Sequence, residues 1–114
     1  MALDEFTRKQ VEAKLGAFCE SRIPLHVRGE IRLTFSFWKN SVILYEERPH
    51  WREPGVWTKM KIARIDFDEA SRGWTLWAYD RNDRPLIYID LDTNVSLDDV
   101  LREIDSDPTG IFWG

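Results

Sequence analysis

A chain of 114 residues that is 43% hydrophobic and 32% charged can bury a core and is too apolar to be intrinsically disordered. Six Trp, six Phe and three Tyr add aromatic side chains, which carry the largest burial area per residue. One cysteine, Cys19, excludes an intrachain disulfide and a cysteine metal cluster, and a formal charge of −4 with a pI near 5.2 argues against a general nucleic-acid binder.

The charge is unevenly placed. Residues 1–65 hold 12 Lys/Arg against 8 Asp/Glu, a balance of +4, whereas residues 66–114 hold 4 against 12, a balance of −8. Two faces of opposite sign would follow if the halves fold onto different sides. The acidic N-terminal residues lack an apolar signal-peptide region, and no apolar run is long enough to span a bilayer. With the lone cysteine, this predicts a cytoplasmic location and no membrane partner.

In chain order, residues 4–20 read as a helix, with Phe6, Val11, Leu15 and Phe18 near one stripe. Asp4, or Thr7 paired with Gln10, could cap its start, and Pro24 ends it. Residues 31–38 alternate Ile31, Leu33, Phe35 and Phe37 against Arg32, Thr34 and Ser36, the pattern of a half-buried strand. Lys39-Asn40 turns the chain into a strand over 41–48, and Pro49 to Gly55 form a loop.

Residues 57–68 give a strand whose phase slips. Met60 and Ile62 lie on one parity, Ile65 and Phe67 on the other, so either a bulge near Ala63-Arg64 brings all four inward or the strand packs on both faces; the bulge is favoured. Strands over 74–80 and 86–91 follow, each apolar on both faces and so read as central. Ser96 opens a last helix with Asp99 as its capping partner and Leu97, Val100, Leu101 and Ile104 as its stripe. Asp107-Pro108 stops it before the tail Ile111-Phe112-Trp113-Gly114. The expected fold is one α+β domain over 1–114: N-terminal helix, five-stranded antiparallel β-meander, C-terminal helix and aromatic tail. The short joins leave no crossover for a parallel pair.

These residues resemble a family of small uncharacterised bacterial proteins, a domain of unknown function numbered three-zero-two-four. The resemblance rests on Arg48-Pro49, on Ile62-Ala63-Arg64, and on the run Trp74-Thr75-Leu76-Trp77-Ala78-Tyr79-Asp80-Arg81-Asn82. It also rests on the ending from Ile104-Asp105-Ser106-Asp107-Pro108 to Phe112-Trp113-Gly114. Pro85 departs from it, standing near where another tryptophan would be expected. The resemblance implies a shape and no catalytic residue.

Two sets of residues suggest binding. Arg48, Trp51, Arg52, Trp57, Lys59, Lys61 and Arg64 interleave cations with tryptophans, as single-strand binders do to grip phosphates and stack bases. The plainer account is a loop whose tryptophans pack while Glu46, Glu47 and Glu53 pair with the cations. Trp38, Tyr45, Trp77 and Tyr79, with Phe112 and Trp113 of the tail, form a second set suited to an interface, although a tail this apolar first suggests docking on its own sheet.

Chemistry is weakly signalled. Asp90-x-Asp92-x-Asn94-x-Ser96-x-Asp98 mimics a calcium loop, but Val95 and Leu101 replace the turn glycine and closing glutamate, so no metal is expected. His26, His50 and Cys19 form no catalytic pattern, and Asp66, Asp68, Asp80 and Asp83 read as turn carboxylates before paired acids. The expectation is a non-catalytic protein–protein or self-association module without a cofactor. Binding of an anionic ligand or single-stranded nucleic acid is the alternative, and an enzyme using turn carboxylates the weaker one.

Overall fold

A computed structural model describes residues 2–114. Helix α1 (Glu5–Arg22) is capped by Asp4, whose carboxylate accepts the backbone N–H and the hydroxyl of Thr7, each at 2.8 Å. Of the two possible caps, Asp4 is the one used. Val11 and Leu15 are fully buried, but Phe6 is 69% exposed and Thr7 takes the inward position beside it. The helix ends at Ile23, before Pro24, and a 3-10 turn at Leu25–Val27 leads to the sheet.

Five strands follow: β1 (Arg32–Trp38), β2 (Ser41–Pro49), β3 (Trp57–Asp68), β4 (Gly73–Tyr79) and β5 (Pro85–Ile87). They pair in sequence order and antiparallel throughout, as the short turns require. The phase slip in β3 is a β-bulge: Leu44 faces Ala63 and the next residue, Tyr45, faces Lys61, which leaves Ile62 as the extra residue. It lies one or two residues earlier than the sequence suggested. Ile62, Ala63, Ile65 and Phe67 are all buried as a result, while Met60, on the same side, is 55% exposed near the sheet's end.

Both helices pack on one side of the sheet. Val42, Leu44, Ile65 and Leu76 form the centre of the core with Val11 and Leu15 of α1 and Val100 and Ile104 of α2 (Leu97–Ser106). Ser96 caps α2 by accepting the Asp99 N–H at 3.1 Å. Before α2, Val95 exchanges two backbone hydrogen bonds with Trp74. This draws Asn94 so close to Gly73 that a Cβ there would meet backbone at 2.6 Å, and only glycine fits.

One expectation is corrected and one alternative is decided. The stretch after the fourth strand is not central: β5 is a three-residue edge strand, and the chain turns at Ile89-Asp90. Its two-sided apolarity has another cause. Tyr88 enters the core, where burial, helped by its hydrogen bond to Glu103 at 2.7 Å, pushes its hydroxyl up to about 12, while Leu86, Ile87 and Ile89 remain exposed. The tail docks on its own domain. Asp107, left-handed at φ 43, accepts the N–H groups of Phe112 and Trp113 at 3.1 and 2.9 Å. Phe112 is buried against Tyr88, so it has no surface to offer a partner.

Candidate functional site

Among the described residues no helix lies on the other side of the sheet, and strand alternation decides what stands there. The register sets its residues in rows across the strands: Arg32, Glu47 and Lys59; then Thr34, Tyr45 and Lys61; then Ser36, Ile43, Arg64, Trp77 and Ile87. Tyr79, Trp57 and Asp66 share this side. Because the β3 bulge restores phase, the cations of both halves of β3 fall on one face.

Cations and rings meet in pairs. Arg32 lies 3.9 Å from the centre of the Trp57 ring and Lys59 5.1 Å from Tyr45. Lys61 lies 5.4 Å from Tyr79 and Arg64 4.8 Å from Trp77. Each distance is within cation–π range, and each pair holds a long side chain flat on the sheet.

Two carboxylates lie among them. Glu47 is 4% exposed and accepts from the Thr34 hydroxyl at 2.5 Å and from Arg32 at 3.1 Å. Burial pushes its carboxyl up, but the Thr34 and Arg32 hydrogen bonds and the charges of Arg32 and Lys59 outweigh this and hold it below the usual carboxylate range. Asp66 takes a two-pronged bond from Arg64 at 2.9 and 3.0 Å and the Ser41 hydroxyl at 2.6 Å. That bond raises the Arg64 guanidinium against the opposing effect of burial. Burial raises the Tyr79 hydroxyl, with Arg64 opposing. Lys59 and Lys61 make no ion pair among the described residues. Both remain without a carboxylate partner on this face.

The structure therefore merges parts of the two predicted sets. Trp57, Lys59, Lys61 and Arg64 from the first join Tyr45, Trp77 and Tyr79 from the second. Arg48 stands on the opposite side, paired with Glu46 at 2.7 Å, because facing residues of the β2–β3 hairpin place Arg48 with Thr58 rather than with Lys59. Trp51 and Arg52 sit in the loop beyond the hairpin strands, the 79% exposed indole 6.1 Å from the His50 ring and 4.4 Å from the Arg52 guanidinium. Trp38 occupies the far corner of the open side with Lys39 4.7 Å from its ring. Trp113 is held by its indole N–H to the Ile104 carbonyl at 2.7 Å and lies under Arg22 at 4.0 Å.

The sequence pattern offers Glu47 only as a partner for the loop cations and does not single out Arg32, the partner it takes. Their signal was present: Arg32 starts the polar alternation of β1, and Glu47 precedes Arg48 on the other parity of β2. Only the pairing of β1 with β2 joins them.

The remaining polar clusters are engaged locally. Asp80 accepts the N–H groups of Asn82 and Arg84 at 2.8 and 3.0 Å, which hold its carboxyl low. It lines a surface groove of about 340 Å³ with Asp83, Lys61 and Tyr79, where it caps the turn between β4 and β5. Burial pushes the Cys19 thiol up to about 11, away from the reactive thiolate. No group of three or more His, Cys, Asp or Glu able to hold a metal occurs among the described residues, and no helix among them is long and apolar enough to cross a membrane.

Fold and surface together define an α+β protein with one helix-covered and one uncovered sheet face. A family model matches residues 3–114, and the chain belongs to that family, the domain of unknown function DUF3024. No curated protein and no solved structure matches the chain.

Proposed function

We propose that this protein is a non-catalytic interaction module whose open sheet face binds an acidic segment of a protein partner. The observation that carries this reading is the ladder of four cation–aromatic pairs on one uncovered face, with Lys59 and Lys61 free of ion pairs. The acidic residues Asp98, Asp99, Glu103 and Asp105 belong to α2, on the far side of the sheet. Aromatic rings flanked by cations give apolar contact and charge complementarity together, the combination that interface centres favour.

Base stacking fits this face less well. Each ring already has a cation over it, and Glu47 and Asp66 stand where phosphates would run. Self-association face to face is also disfavoured, since it would bring Lys59 and Lys61 of two copies together.

The test is a pair of NMR titrations of the labelled protein, one with polyglutamate peptide and one with oligothymidine. The reading expects peptide-induced shifts confined to β2, β3 and β4, weakening with salt and absent in a Lys59→Glu, Lys61→Glu variant. Tighter binding of the oligonucleotide at the same residues would transfer the face to nucleic acid. No shift with either probe would leave the reading without support.

A further inference from the structure

Strand β3 is paired on both flanks over only part of its length. β4 pairs with it from Ala63 to Asp68, whereas β2 pairs with it as far as Trp57. Beyond the end of β4, residues 57–61 stay extended with β2 on one flank and no strand on the other. The pairing decides which backbone groups face that free flank. The Val56 C=O accepts the His50 N–H at 2.7 Å, so even positions up to Met60 turn toward β2, and Trp57, Lys59 and Lys61 turn away from it. The bulge at Ile62 then reverses the parity, and Phe67, an odd position, donates its N–H to the Asn40 carbonyl on the β2 side at 3.0 Å. No other described segment bonds the backbone groups of Trp57, Lys59 and Lys61 on the free flank.

The side chains of this flank define what can pair with it. Lys59 and Lys61, on the open side, make no ion pair among the described residues. Met60, 55% exposed on the helix side, borders two surface grooves of about 340 and 450 Å³, and Trp113 lines both. The other charges at these grooves are engaged or balanced: Asp80 is bonded by its own turn, Arg48 and Glu46 pair with each other, and Arg81 and Asp83 are opposite in sign. Lysines on a free edge repel a second copy of that edge, whereas an acidic segment turns the same charges into attraction.

Building on the acidic-partner reading, we infer that the acidic segment binds as an added strand along residues 57–61 of β3, in the gap left by β4. Its main chain bonds Trp57, Lys59 and Lys61, and side-chain alternation then sets the sequence it needs. Two of its residues, one position apart, fall beside Lys59 and Lys61, where cross-strand neighbours stand about 5 Å apart and carboxylates are favoured. The residue between them falls beside Met60, on the side of the Trp113 groove, which takes an apolar side chain. The pattern is acidic–apolar–acidic in an extended chain, whichever way the added strand runs. A helical segment has its backbone groups bonded within itself and cannot pair here.

Two peptides of identical composition test it against the native, isotope-labelled protein, one alternating Glu and Val, the other with the same residues in two blocks. Strand addition expects the alternating peptide to bind about tenfold tighter or more. It should slow amide exchange at Trp57, Lys59 and Lys61 about tenfold or more, and leave Thr58 and Met60, which already face β2, unchanged. N-methylation of one alternate set of its amides should abolish binding, and methylation of the other set should be tolerated. Equal affinity for the two peptides, or shifts on the open side without amide protection, overturns the added strand and leaves the acidic-partner reading standing. Binding of neither peptide overturns both.

Discussion

The two sides of this sheet are built from the same strands and differ in what holds them. Toward the helices, Val42, Leu44, Ile65 and Leu76 are almost wholly buried and make no polar contact through their side chains. Toward the open side, half-buried rings and cations lie flat in pairs, and the two carboxylates among them are satisfied by neighbours in the same and the adjacent rows. Burial of apolar area stabilises the first side, and it is insensitive to salt. The second gains a smaller increment per pair, leaves its surface accessible, and places charge where a ligand can reach it. One side specifies the fold while the other is free to vary with what it binds.

Single substitutions should separate the two sides sharply. Leu76→Ala removes a fully buried side chain of the core cluster, and should cost about 3 kcal/mol in urea denaturation. Lys61→Ala, on the neighbouring strand but the opposite side, should stay within about 0.5 kcal/mol. Equal costs would mean that the open side is structural as well.

Trp57→Ala should fall between them at about 1 kcal/mol, because it loses a half-buried ring and its contact with Arg32. Its removal should also free Arg32, seen as faster side-chain motion in NMR relaxation.

Acid should act through the open side first. The folded Glu47 carboxyl lies below its unfolded value, so its contribution is present above the unfolded range and is lost as pH falls through the folded one. Denaturation midpoints of the native chain should drop between about pH 5 and pH 3. In Glu47→Gln the midpoint should start lower at neutral pH and fall less on acidification. An identical acid slope in both proteins would show that Glu47 does not control it.

The smallest effect is expected at Trp77. Its indole N–H is buried without a hydrogen-bond partner, so Trp77→Phe removes an unsatisfied donor at the cost of some ring area. The melting temperature should change little in either direction. A large loss would instead point to the area of the indole and its stacking with Arg64 as the dominant contribution.

Much of the fold could be read before the coordinates. Asp4 and Ser96 cap their helices, strand alternation separates Leu33, Phe35 and Phe37 from Arg32, Thr34 and Ser36, and the phase slip in β3 called for a bulge. These signals are local, carried by neighbours within four residues. The site was legible only in part. Grouping Arg48 with Lys59 by nearness in the chain misplaced Arg48, because the hairpin there sets even positions opposite even ones, Arg48 opposite Thr58, and so leaves Lys59 on the other face; β5 read as central because its exposed aliphatics look like core.

Taken alone, the chain's order of residues determined which segments are helix and strand, where they stop, and that they pair as an antiparallel meander, since alternation, capping and short turns act at close range. Tertiary structure decided which cations meet which rings. Arg32 and Trp57 stand 25 positions apart in the chain, and only the lateral register of three strands, set by the burial of the opposite side, brings them 3.9 Å from each other.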